Sequence, residues 1–439
     1  MVLGTDKRVL ALAFARMADS LGNSFLVIVL PLYIASGEVS LTGLTGFSTE
    51  LLIGVVLSLF GLLNSSLQPF TGRASDRAGK RKRFILAGLV VFGVGSAIYP
   101  FVTSYWLVLA ARAFQGIGAA LTVPVTLALV NEYASDEGRG GNFGIFNTFR
   151  LIGFGFGPML AGLLVTGGFD SETVTSYDVA GVTVSGFDAA FAAAVAGAVV
   201  AFGLVTLLVF DPEQTGGTAS DDLSIRVLGD DRLLDPVFVV GLGTFFMATG
   251  IAVFATIQEP VNAKLGQGPF LFSIQFAAVV IANVALQAPI GRASDRLGRR
   301  PFLVGGFALL VPALLLQGVV PELAAGLSPT LFGVGTGSAL MLGFRLIQGV
   351  SVAMVFAPGL ALAGDLAGQG ESGTTLSVLT TAFGFGVAAG PLLSGVLIGF
   401  GFVWPFAAVA LLAALALVLT YSQVDETVPN AAPVVPSDD

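Results

Sequence analysis

The sequence predicts an all-α membrane protein in which twelve transmembrane helices form two pseudo-symmetric six-helix bundles around a central cavity. Three observations carry this prediction: a mean hydropathy of +0.89, twelve apolar runs of membrane-spanning length, and a basic string that occurs twice. With 55% hydrophobic and only 11% charged residues among 439, a water-soluble fold would leave much of its apolar surface in water. Lipid is therefore the expected solvent for most of the chain.

Each apolar run is about 20 residues long, which lets a helix cross a hydrocarbon core of about 30 Å while satisfying its own backbone hydrogen bonds. The predicted spans 1 to 12 are Val9–Ile34, Leu51–Phe70, Phe84–Phe101, Tyr105–Tyr133, Asn142–Thr166, Phe187–Phe210, Val237–Gln258, Phe270–Ile290, Phe302–Val320, Ser338–Leu366, Thr374–Phe400 and Phe402–Tyr421. Span 1 is too long for the apolar part of a secretory signal and contains charged residues, so we expect it to be retained.

The distribution of positive charge predicts the orientation of the chain. Fifteen of the twenty Lys and Arg residues lie at the N-terminus or in the loops after spans 2, 4, 6 and 8, and Lys264 lies in a loop on the opposite side. By the positive-inside rule both termini are expected in the cytoplasm, which agrees with an even number of spans. We therefore expect a multi-pass protein of the plasma membrane.

The chain contains neither cysteine nor histidine. This composition excludes disulfides, thiolate metal sites and imidazole proton carriers, so any proton chemistry must use carboxylates. We expect no cofactor, no metal and no nucleic acid as partner. The net charge of −8, with arginine in excess of lysine, is typical of halophilic proteins.

A basic string occurs twice in the chain. GRASDRAGKRKRF begins at Gly72, and GRASDRLGRRPF begins at Gly291, 219 residues later. Further matches are Asn64 with Asn283 and Gln68 with Gln287 at the same spacing, and Glu132 with Asp365 and Gly157-Pro158 with Gly390-Pro391 at a spacing of 233. A loop extension of about 14 residues before span 10 accounts for the change of spacing. The repeat predicts two six-span halves related by an axis along the membrane normal.

This repeat divides the chain into four predicted regions. Residues 1–210 form the first bundle and 236–421 the second, with a cytoplasmic linker at 211–235 and a disordered cytoplasmic tail at 422–439. Two parallel halves of this kind meet at a cavity near the middle of the membrane, an arrangement that suits alternating access.

The two basic strings resemble the signature G-x-x-x-D-R-x-G-[RK]-[RK] that the major facilitator superfamily carries in the loop between spans 2 and 3. The matching residues are Gly72, Asp76, Arg77, Gly79, Lys80 and Arg81 in the first copy and Gly291, Asp295, Arg296, Gly298, Arg299 and Arg300 in the second. The resemblance covers essentially the whole chain. It implies a secondary transporter that moves a small molecule across the bilayer by alternating access, functions as a monomer and is not an enzyme.

Two further motifs resemble the drug:proton antiporter branch of this family. Span 4 contains Arg112-x-x-Gln115-Gly116, which span 10 repeats at Arg345 and Gln348. Span 5 contains a glycine motif at Gly153, Gly157, Pro158 and Gly162, which span 11 repeats at Gly390 and Pro391. Because small residues let helices approach closely and proline permits a bend, we expect the glycine motif to serve packing and hinge motion.

Asp19 is the only carboxylate deep inside a predicted span. It lies about 15 Å from the cytoplasmic end of span 1 and shares one helix face with Arg16 and Asn23. An ionised Asp at this depth costs about 2.5–3.5 kcal/mol, so it must bind a proton, pair with a cation or contact water. Arg112 is the expected partner and Arg16 the alternative. Asp19 either couples proton binding to transport or forms a permanent ion pair.

Arg150 in span 5 and Arg345 in span 10 are further cations inside predicted spans, with Asn147 and Gln348 three residues away from them. The half that contains Arg345 has no carboxylate corresponding to Asp19. Two interpretations remain open: Arg345 binds an anionic group of the substrate, or it caps backbone carbonyl groups.

The resemblance also implies two charge clusters at the cytoplasmic ends, which we call latches. Latch 1 consists of Asp76, Lys80 and Glu132, and latch 2 consists of Asp295, Arg299 and Asp365. They are expected to hold the cytoplasmic ends together in the outward-facing state. Ion pairs near water contribute about 0.2–1 kcal/mol each, so such a latch can open.

Polar residues within the spans are candidates for the substrate cavity, namely Asn23, Asn147, Arg150, Gln258 and Gln275. With 36 Phe against 6 Tyr and 2 Trp, the composition favours a cavity for hydrophobic compounds. The leading prediction is a proton-coupled antiporter that exports small amphipathic molecules. The alternative is an uptake carrier, a symporter or uniporter, for a polar or anionic solute. A membrane-embedded enzyme or receptor has least support, because no reactive group of residues is evident.

Overall fold

The computed structural model describes residues 7–133, 139–168, 173–179, 181–211, 227–229, 232–331, 333–366 and 372–428. Twelve helices in this part of the chain are long and apolar enough to cross a membrane. Spans 1 to 12 run Lys7–Ala35, Thr49–Ala78, Arg81–Ile98, Tyr105–Tyr133, Arg139–Thr166, Gly186–Leu208, Pro236–Ala252, Pro269–Leu297, Arg299–Gly318, Thr336–Leu366, Ser372–Leu397 and Val403–Gln423. The predicted all-α membrane fold with twelve spans is confirmed.

Short elements connect the spans at one end of the molecule. They are a hairpin of Ser176–Val179 and Val182–Ser185 after span 5, a helix at Gln258–Leu265 after span 7, and a helix at Val320–Ala325 followed by a hairpin of Thr330–Leu331 and Val334–Gly335 after span 9. The helix at Val320–Ala325 and the hairpin that follows it occupy the loop extension expected before span 10. We call this the outer end and the opposite one, which carries most of the positive charges, the inner end.

Spans 2 and 8 continue beyond their predicted ends and include most of the two basic strings. Span 2 ends at Ala78 rather than Phe70, and span 8 ends at Leu297 rather than Ile290. A helix of about 30 residues is about 45 Å long, so its last turns extend beyond the hydrocarbon core to where charged side chains are solvated. Gly79 then ends span 2 in the left-handed region with φ 60°, which favours glycine. The predicted signature loop is therefore only a two-residue turn.

The two halves share one apolar core at the outer end and have separate cores elsewhere. The shared core combines Phe25 and Leu52 of the first half with Phe254 and Phe272 of the second. The separate cores include Val9, Leu12, Ile85 and Leu129 in the first half and Val239, Phe307, Leu362 and Ala416 in the second. The continuous apolar packing between the halves thus lies at the outer end.

Two pairs of helices bring the halves into direct contact, span 2 with span 11 and span 5 with span 8. Glycine lets the backbones approach at both contacts. A Cβ atom added at Gly54 would lie 2.5 Å from the carbonyl oxygen of Pro391, and one added at Gly162 would lie 2.6 Å from Ser273 Oγ. A side chain at either glycine would force the two halves apart.

The predicted linker and tail are ordered in part. Span 12 continues to Gln423 and residues 424–428 contact the second half, so the predicted disorder from residue 422 is wrong over this stretch. At the end of the linker, Asp235 accepts the N–H groups of Val237 and Phe238 and so caps span 7. Residues 212–226, 230–231 and 429–439 lie outside the described residues, and the domain limits stay a prediction.

Candidate functional site

Asp19 forms an ion pair with Arg16 inside span 1. Both side chains are largely buried, with 8% of Asp19 and 15% of Arg16 exposed. The prediction that Arg112 is the partner is wrong in this structure, because Arg112 is held by other groups. Arg16 lies three positions away on the same helix, so it reaches Asp19 without any demand on how the helices pack.

Asp19 also borders a cavity of about 10 Å³ inside the first half. Residues of spans 1, 3, 4 and 6 line this cavity, among them Arg16, Thr122 and Thr126. The volume suffices for about one water molecule, for which the carboxylate, the guanidinium and the two hydroxyl groups provide hydrogen-bonding partners. The ion pair therefore lies within the first bundle, away from the contact between the halves.

A second arginine lies beside this pair. Arg150 of span 5 donates from Nε and Nη2 to Asn147 Oδ1 at 3.1 and 2.9 Å. It is close enough to Arg16 for the two positive charges to repel each other. Asn23, one turn farther along span 1, is half-buried, and its Oδ1 has no hydrogen-bond partner among the described residues. While Asp19 is ionised, this group of residues carries one net positive charge.

Arg112 is fixed by neutral groups of the first half. Its Nη1 donates to Gln115 Oε1 at 3.0 Å, and the same oxygen accepts the hydroxyl of Tyr99 at 3.1 Å. Gln115 in turn donates from Nε2 to Ser96 Oγ at 2.9 Å. The guanidinium carbon lies 4.5 Å from the ring centre of Phe60, a distance at which the aromatic face stabilises a cation. Gly116, the last residue of this motif, packs against span 2.

Arg345 repeats this arrangement in the second half. Its Nη1 donates to Gln348 Oε1 at 2.7 Å, and its Nε donates to the carbonyl oxygen of Gln275 at 3.1 Å. Gln317 donates to the same oxygen of Gln348 at 3.1 Å, and Phe254 lies 4.2 Å from the guanidinium. The described residues contain no carboxylate paired with this arginine or with its counterpart in span 4. The bond to Gln275 is the carbonyl cap that one interpretation predicts.

Two of the residues predicted to line the substrate cavity lie elsewhere. Gln275 is fully buried inside the second half, where it exchanges hydrogen bonds with Gln267 at 2.9 and 2.8 Å and donates to the carbonyl oxygen of Ser338 at 3.2 Å. Gln258 is not part of span 7, which ends at Ala252, and instead begins the short helix at the outer end. For Gln275 the prediction fails because polar side chains within a bundle also bind one another.

The glycine motif lies at close contacts between helices. A Cβ atom added at Gly153 would lie 2.3 Å from the Met17 carbonyl oxygen, and one at Gly157 would lie 1.8 Å from Ser24 Oγ. Ser24 Oγ donates to the carbonyl oxygen of Gly153 at 3.2 Å. The corresponding contacts of span 11 with span 7 are Gly386 with Phe245 and Gly390 with Ala252, next to the helix prolines Pro158 and Pro391. Both halves therefore bring their first and fifth helices together through glycine.

Arg81, rather than Lys80, is the cation of latch 1. Its Nη1 lies 2.6 Å from Asp76 Oδ1, and its Nη2 lies 2.5 Å from Glu132 Oε1. Lys80 is exposed in the turn that follows Gly79, whereas Arg81 begins span 3 and is 6% exposed. The prediction of Lys80 is wrong, because the glycine turn leaves this residue in solvent and brings the next one between spans 2 and 4.

Latch 2 forms with the predicted residues. Arg299 lies 3.5 Å from Asp295 and also pairs with Asp365. Because Arg299 corresponds to Lys80 in the repeat, the two latches use different positions of the basic pair. Each latch draws its residues from one half only in this structure, and the expectation that the latches hold the cytoplasmic ends together in the outward-facing state stays a prediction. Among the other signature residues, Arg77 and Arg296 are exposed, and Gly72 and Gly291 approach spans 4 and 10. Arg300 donates to the carbonyl oxygen of Tyr421 in span 12.

Sequence reasoning missed two carboxylates that cap helices at the inner end. Asp211 Oδ1 accepts the N–H of Lys82 at 2.8 Å at the start of span 3. Glu426 accepts the N–H groups of Arg299 and Arg300 at 2.9 and 3.0 Å at the start of span 9. The partial positive charge at a helix N-terminus favours an anion there. The sequence did contain a signal for these caps, because each acid follows the last span of its half within a few residues.

Glu426 connects the tail to latch 2. It also accepts the N–H groups of Thr427 and Val428, each at 3.0 Å, and Thr427 donates its hydroxyl to Asp365 Oδ2 at 2.7 Å. Burial alone would raise the pKa of Glu426, but the hydrogen bonds from the four backbone N–H groups outweigh it and lower the pKa below its usual range. The carboxylate is therefore stabilised in its ionised form.

Comparison with known proteins gives consistent matches. The sequence profile described as Major Facilitator Superfamily matches residues 12–235 and 240–437. An uncharacterised MFS-type transporter of Methanocaldococcus jannaschii is 25% identical over 334 residues, which are 75% of this chain and 80% of that relative. The quinolone resistance protein NorA of Staphylococcus aureus is 24% identical over 255 residues, 58% of each chain, so the match spans less than two thirds of NorA.

A solved structure with a similar fold is that of a bacterial homologue of the human lysosomal transporter Spinster, in an inward-facing and occupied conformation. The TM-score is 0.72 at 14% sequence identity, and the match covers 95% of this chain and 97% of that one. At this level of identity the likeness concerns the fold.

Replacing Gly153 by alanine tests the close contact between spans 1 and 5. The added methyl group would lie 2.3 Å from a backbone oxygen, so the helices must separate, at an expected cost of about 1–3 kcal/mol. The midpoint of thermal denaturation of the purified protein should fall. Gly203→Ala is the control, because nothing lies within 4 Å of a Cβ at that position. Equal midpoints for the two variants would contradict the contact.

The identity of the latch 1 cation can be tested with Arg81→Gln and Lys80→Gln. Arg81→Gln leaves Asp76 and Glu132 without their cation and should destabilise the protein by about 1–3 kcal/mol, between the values for surface and buried pairs. Lys80→Gln should have little effect, because its side chain is exposed. Thermal denaturation of both variants measures this difference. A larger loss of stability for Lys80→Gln than for Arg81→Gln would restore the prediction that Lys80 is the latch 1 cation.

The docking of the tail should depend on the ionisation of Glu426. Since its pKa in the folded protein is lowered, the stabilisation is present above the unfolded value of about 4.3 and is lost as pH falls through the folded value. A spin label at Val428→Cys should stay immobile from pH 8 to about 5 and become mobile in acid. Glu426→Gln should make the label mobile already at neutral pH. Asp425→Asn is the control, because the pair of Asp425 with Arg232 is more exposed, and the label should stay immobile in this variant. A label equally immobile in Glu426→Gln would refute this role.

Proposed function

This chain belongs to the major facilitator superfamily, and we propose that it exports small amphipathic or hydrophobic compounds across the plasma membrane in exchange for protons. Members of the family are multi-pass transporters of small molecules, typically monomeric, and not enzymes. The finer assignment to proton-coupled export draws on the polar residues of the first half. Both termini are assigned to the cytoplasm on the basis of the charge distribution.

The observation that carries the proposal is the buried pair of Asp19 and Arg16. Asp19 is the only buried acid among the described residues, and it lies beside a cavity large enough for one water molecule. An ionisable group at this depth is costly and is retained chiefly where it serves transport. A water in the cavity would give a proton a route to the carboxylate without exposing it to lipid.

Proton binding would change the forces between spans 1 and 5. With Asp19 ionised, its charge offsets part of the repulsion between Arg16 and Arg150. With Asp19 neutral, two positive charges would face each other in a medium of low dielectric constant, which favours their separation. Because Gly153 and Gly157 hold these two helices at backbone contact, a small shift of Arg150 is transmitted to the whole of span 5.

Span 5 also contacts span 8 of the other half, so its movement would alter the contact between the halves. In the present state the shared apolar core closes the outer end, while the cores toward the inner end are separate. We interpret this as the state open to the cytoplasm. Protonation of Asp19 would be one event that switches the protein between this state and the outward-open one.

The direction of transport and the class of compound are inferred from two weaker observations. The relative NorA is named a quinolone resistance protein, which favours export of a small amphipathic compound. The high Phe content suits a cavity with apolar walls. Both fit an exporter for hydrophobic substrates.

One observation favours a second candidate, an uptake carrier for an anionic solute. Arg345 is fully buried with no carboxylate partner among the described residues, and its Nη2 donates no hydrogen bond. An anionic substrate group would compensate this charge once Arg345 became accessible. As a symporter, such a carrier would move proton and solute in the same direction, and as a uniporter it would move the solute alone.

Asp19→Asn in proteoliposomes tests the proposal. The variant should lose proton-driven transport by about tenfold or more, because the neutral side chain carries no exchangeable proton. Adding a lipophilic cation to acid-loaded vesicles should release protons with the wild-type protein and not with Asp19→Asn. Glu38→Gln, at an exposed loop position, is the control.

Two results would contradict the proposal. Wild-type rates in Asp19→Asn would remove Asp19 as the coupling residue. Accumulation of protons together with an organic anion would identify the second candidate, the uptake carrier.

A further inference from the structure

A separate cavity of about 330 Å³ lies between the two halves at the outer end. The ends of spans 1 and 5 and the starts of spans 2 and 6 line it from the first half, and residues within 256–259 with the start of span 8 line it from the second. Its walls include the apolar side chains of Leu32, Ile53 and Phe187. The volume falls in the range of small-molecule sites, and this cavity is remote from the ion pair of span 1.

The charge of this cavity is negative. Glu50 of the first half and Glu259 of the second both line it, and neither forms an ion pair among the described residues. The lining contains no lysine or arginine. The nearby cation of the short helix, Lys264, lies instead 5.9 Å from the ring centre of Phe402. Two carboxylates from opposite halves thus face one space without a cation.

A buried amide in the lining is unsatisfied. Gln258 is 1% exposed, and neither its Nε2 nor its Oε1 has a hydrogen-bond partner among the described residues. An amide buried without partners costs about 1–3 kcal/mol, so groups that donate to it or accept from it are favoured here. A bound molecule with a hydrogen-bond donor would satisfy Oε1.

We propose that this outer cavity binds a small organic ammonium ion with an apolar body. The ammonium group would lie between Glu50 and Glu259 and donate to Gln258, while the apolar body would contact Ile53 and Phe187. A bare metal ion fits less well, because the described residues contain no group of three or more metal-ligating side chains. The site goes beyond the transport proposed above, since binding here requires neither Asp19 nor a proton gradient.

The site also predicts a preference among solutes. As the outer end opens, this cavity becomes the mouth through which a solute passes between the halves. Two uncompensated carboxylates at a narrow mouth attract cations and repel anions. The outer end would therefore select for positive charge whatever the direction of transport.

The absence of cysteine allows the site to be probed by chemical labelling. Ser36→Cys introduces a thiol at an exposed position of the cavity lining. In lipid nanodiscs the rate of its reaction with a membrane-impermeant maleimide is measured against increasing phenethylammonium. The neutral analogue 2-phenylethanol is the matched ligand control, and Thr42→Cys, exposed on the same loop and outside the lining, controls for effects on the reagent.

We expect phenethylammonium to slow labelling of Ser36→Cys in a saturable manner and 2-phenylethanol to have a much weaker effect. Adding Glu50→Gln and Glu259→Gln should raise the half-maximal concentration by about tenfold or more, a change of about 1.4 kcal/mol or more. Glu322→Gln, at an exposed acid of the outer end that does not line the cavity, should leave it unchanged.

Several results would overturn the proposal. One is equal protection by the neutral analogue. Another is full protection in the Glu50→Gln, Glu259→Gln background, which would assign the effect to binding elsewhere. A third is the absence of protection at Ser36→Cys up to the solubility limit of phenethylammonium. Since the readout is labelling rather than transport, a failure of proton coupling would leave this result unaffected.

Discussion

A positive charge inside the hydrocarbon region must be compensated by the protein itself, and this constraint determines the polar architecture of both bundles. Arg16 is compensated by a carboxylate on its own helix. Arg112 and Arg345 are compensated by glutamine oxygens and aromatic faces. These two kinds of compensation respond differently to pH. A carboxylate can be neutralised by a proton, whereas an aromatic face and an amide compensate an arginine at every pH.

The internal repeat preserves contacts between helices even where one partner residue differs. Glycine joins the first and fifth helix of each half, and an arginine-glutamine pair in the fourth helix is oriented by a partner at the outer end of the third helix or in the turn directly after it. That partner is Tyr99 in one half and Gln317 in the other. The ion pair of span 1 has no such counterpart, so the two halves share a scaffold and differ in titratable chemistry. With Asp19 as the proposed proton site, one half would respond to protons and the other would follow.

Much of this could be predicted from sequence. Apolar length fixes the spans because lipid leaves few alternatives to a helix, and two copies of a basic string establish the repeat. Spacing within one helix is also reliable, which is why Arg16, Asp19 and Asn23 share a face. Contacts between helices are less accessible. The choice of Arg16 over Arg112 depends on interhelical distance, and the choice of Arg81 over Lys80 depends on the left-handed turn at Gly79. Neither is encoded in residue type, since both alternatives are basic.

The central claim is that Asp19 binds a proton and releases it during the transport cycle. Infrared difference spectroscopy of the protein in lipid tests this directly, by recording the carbonyl band of a protonated carboxyl group as pH is varied and as a transported compound is added. We expect a band that is missing in Asp19→Asn and that decreases when the compound is added. A band identical in wild-type protein and Asp19→Asn, or no response to the compound, would contradict it.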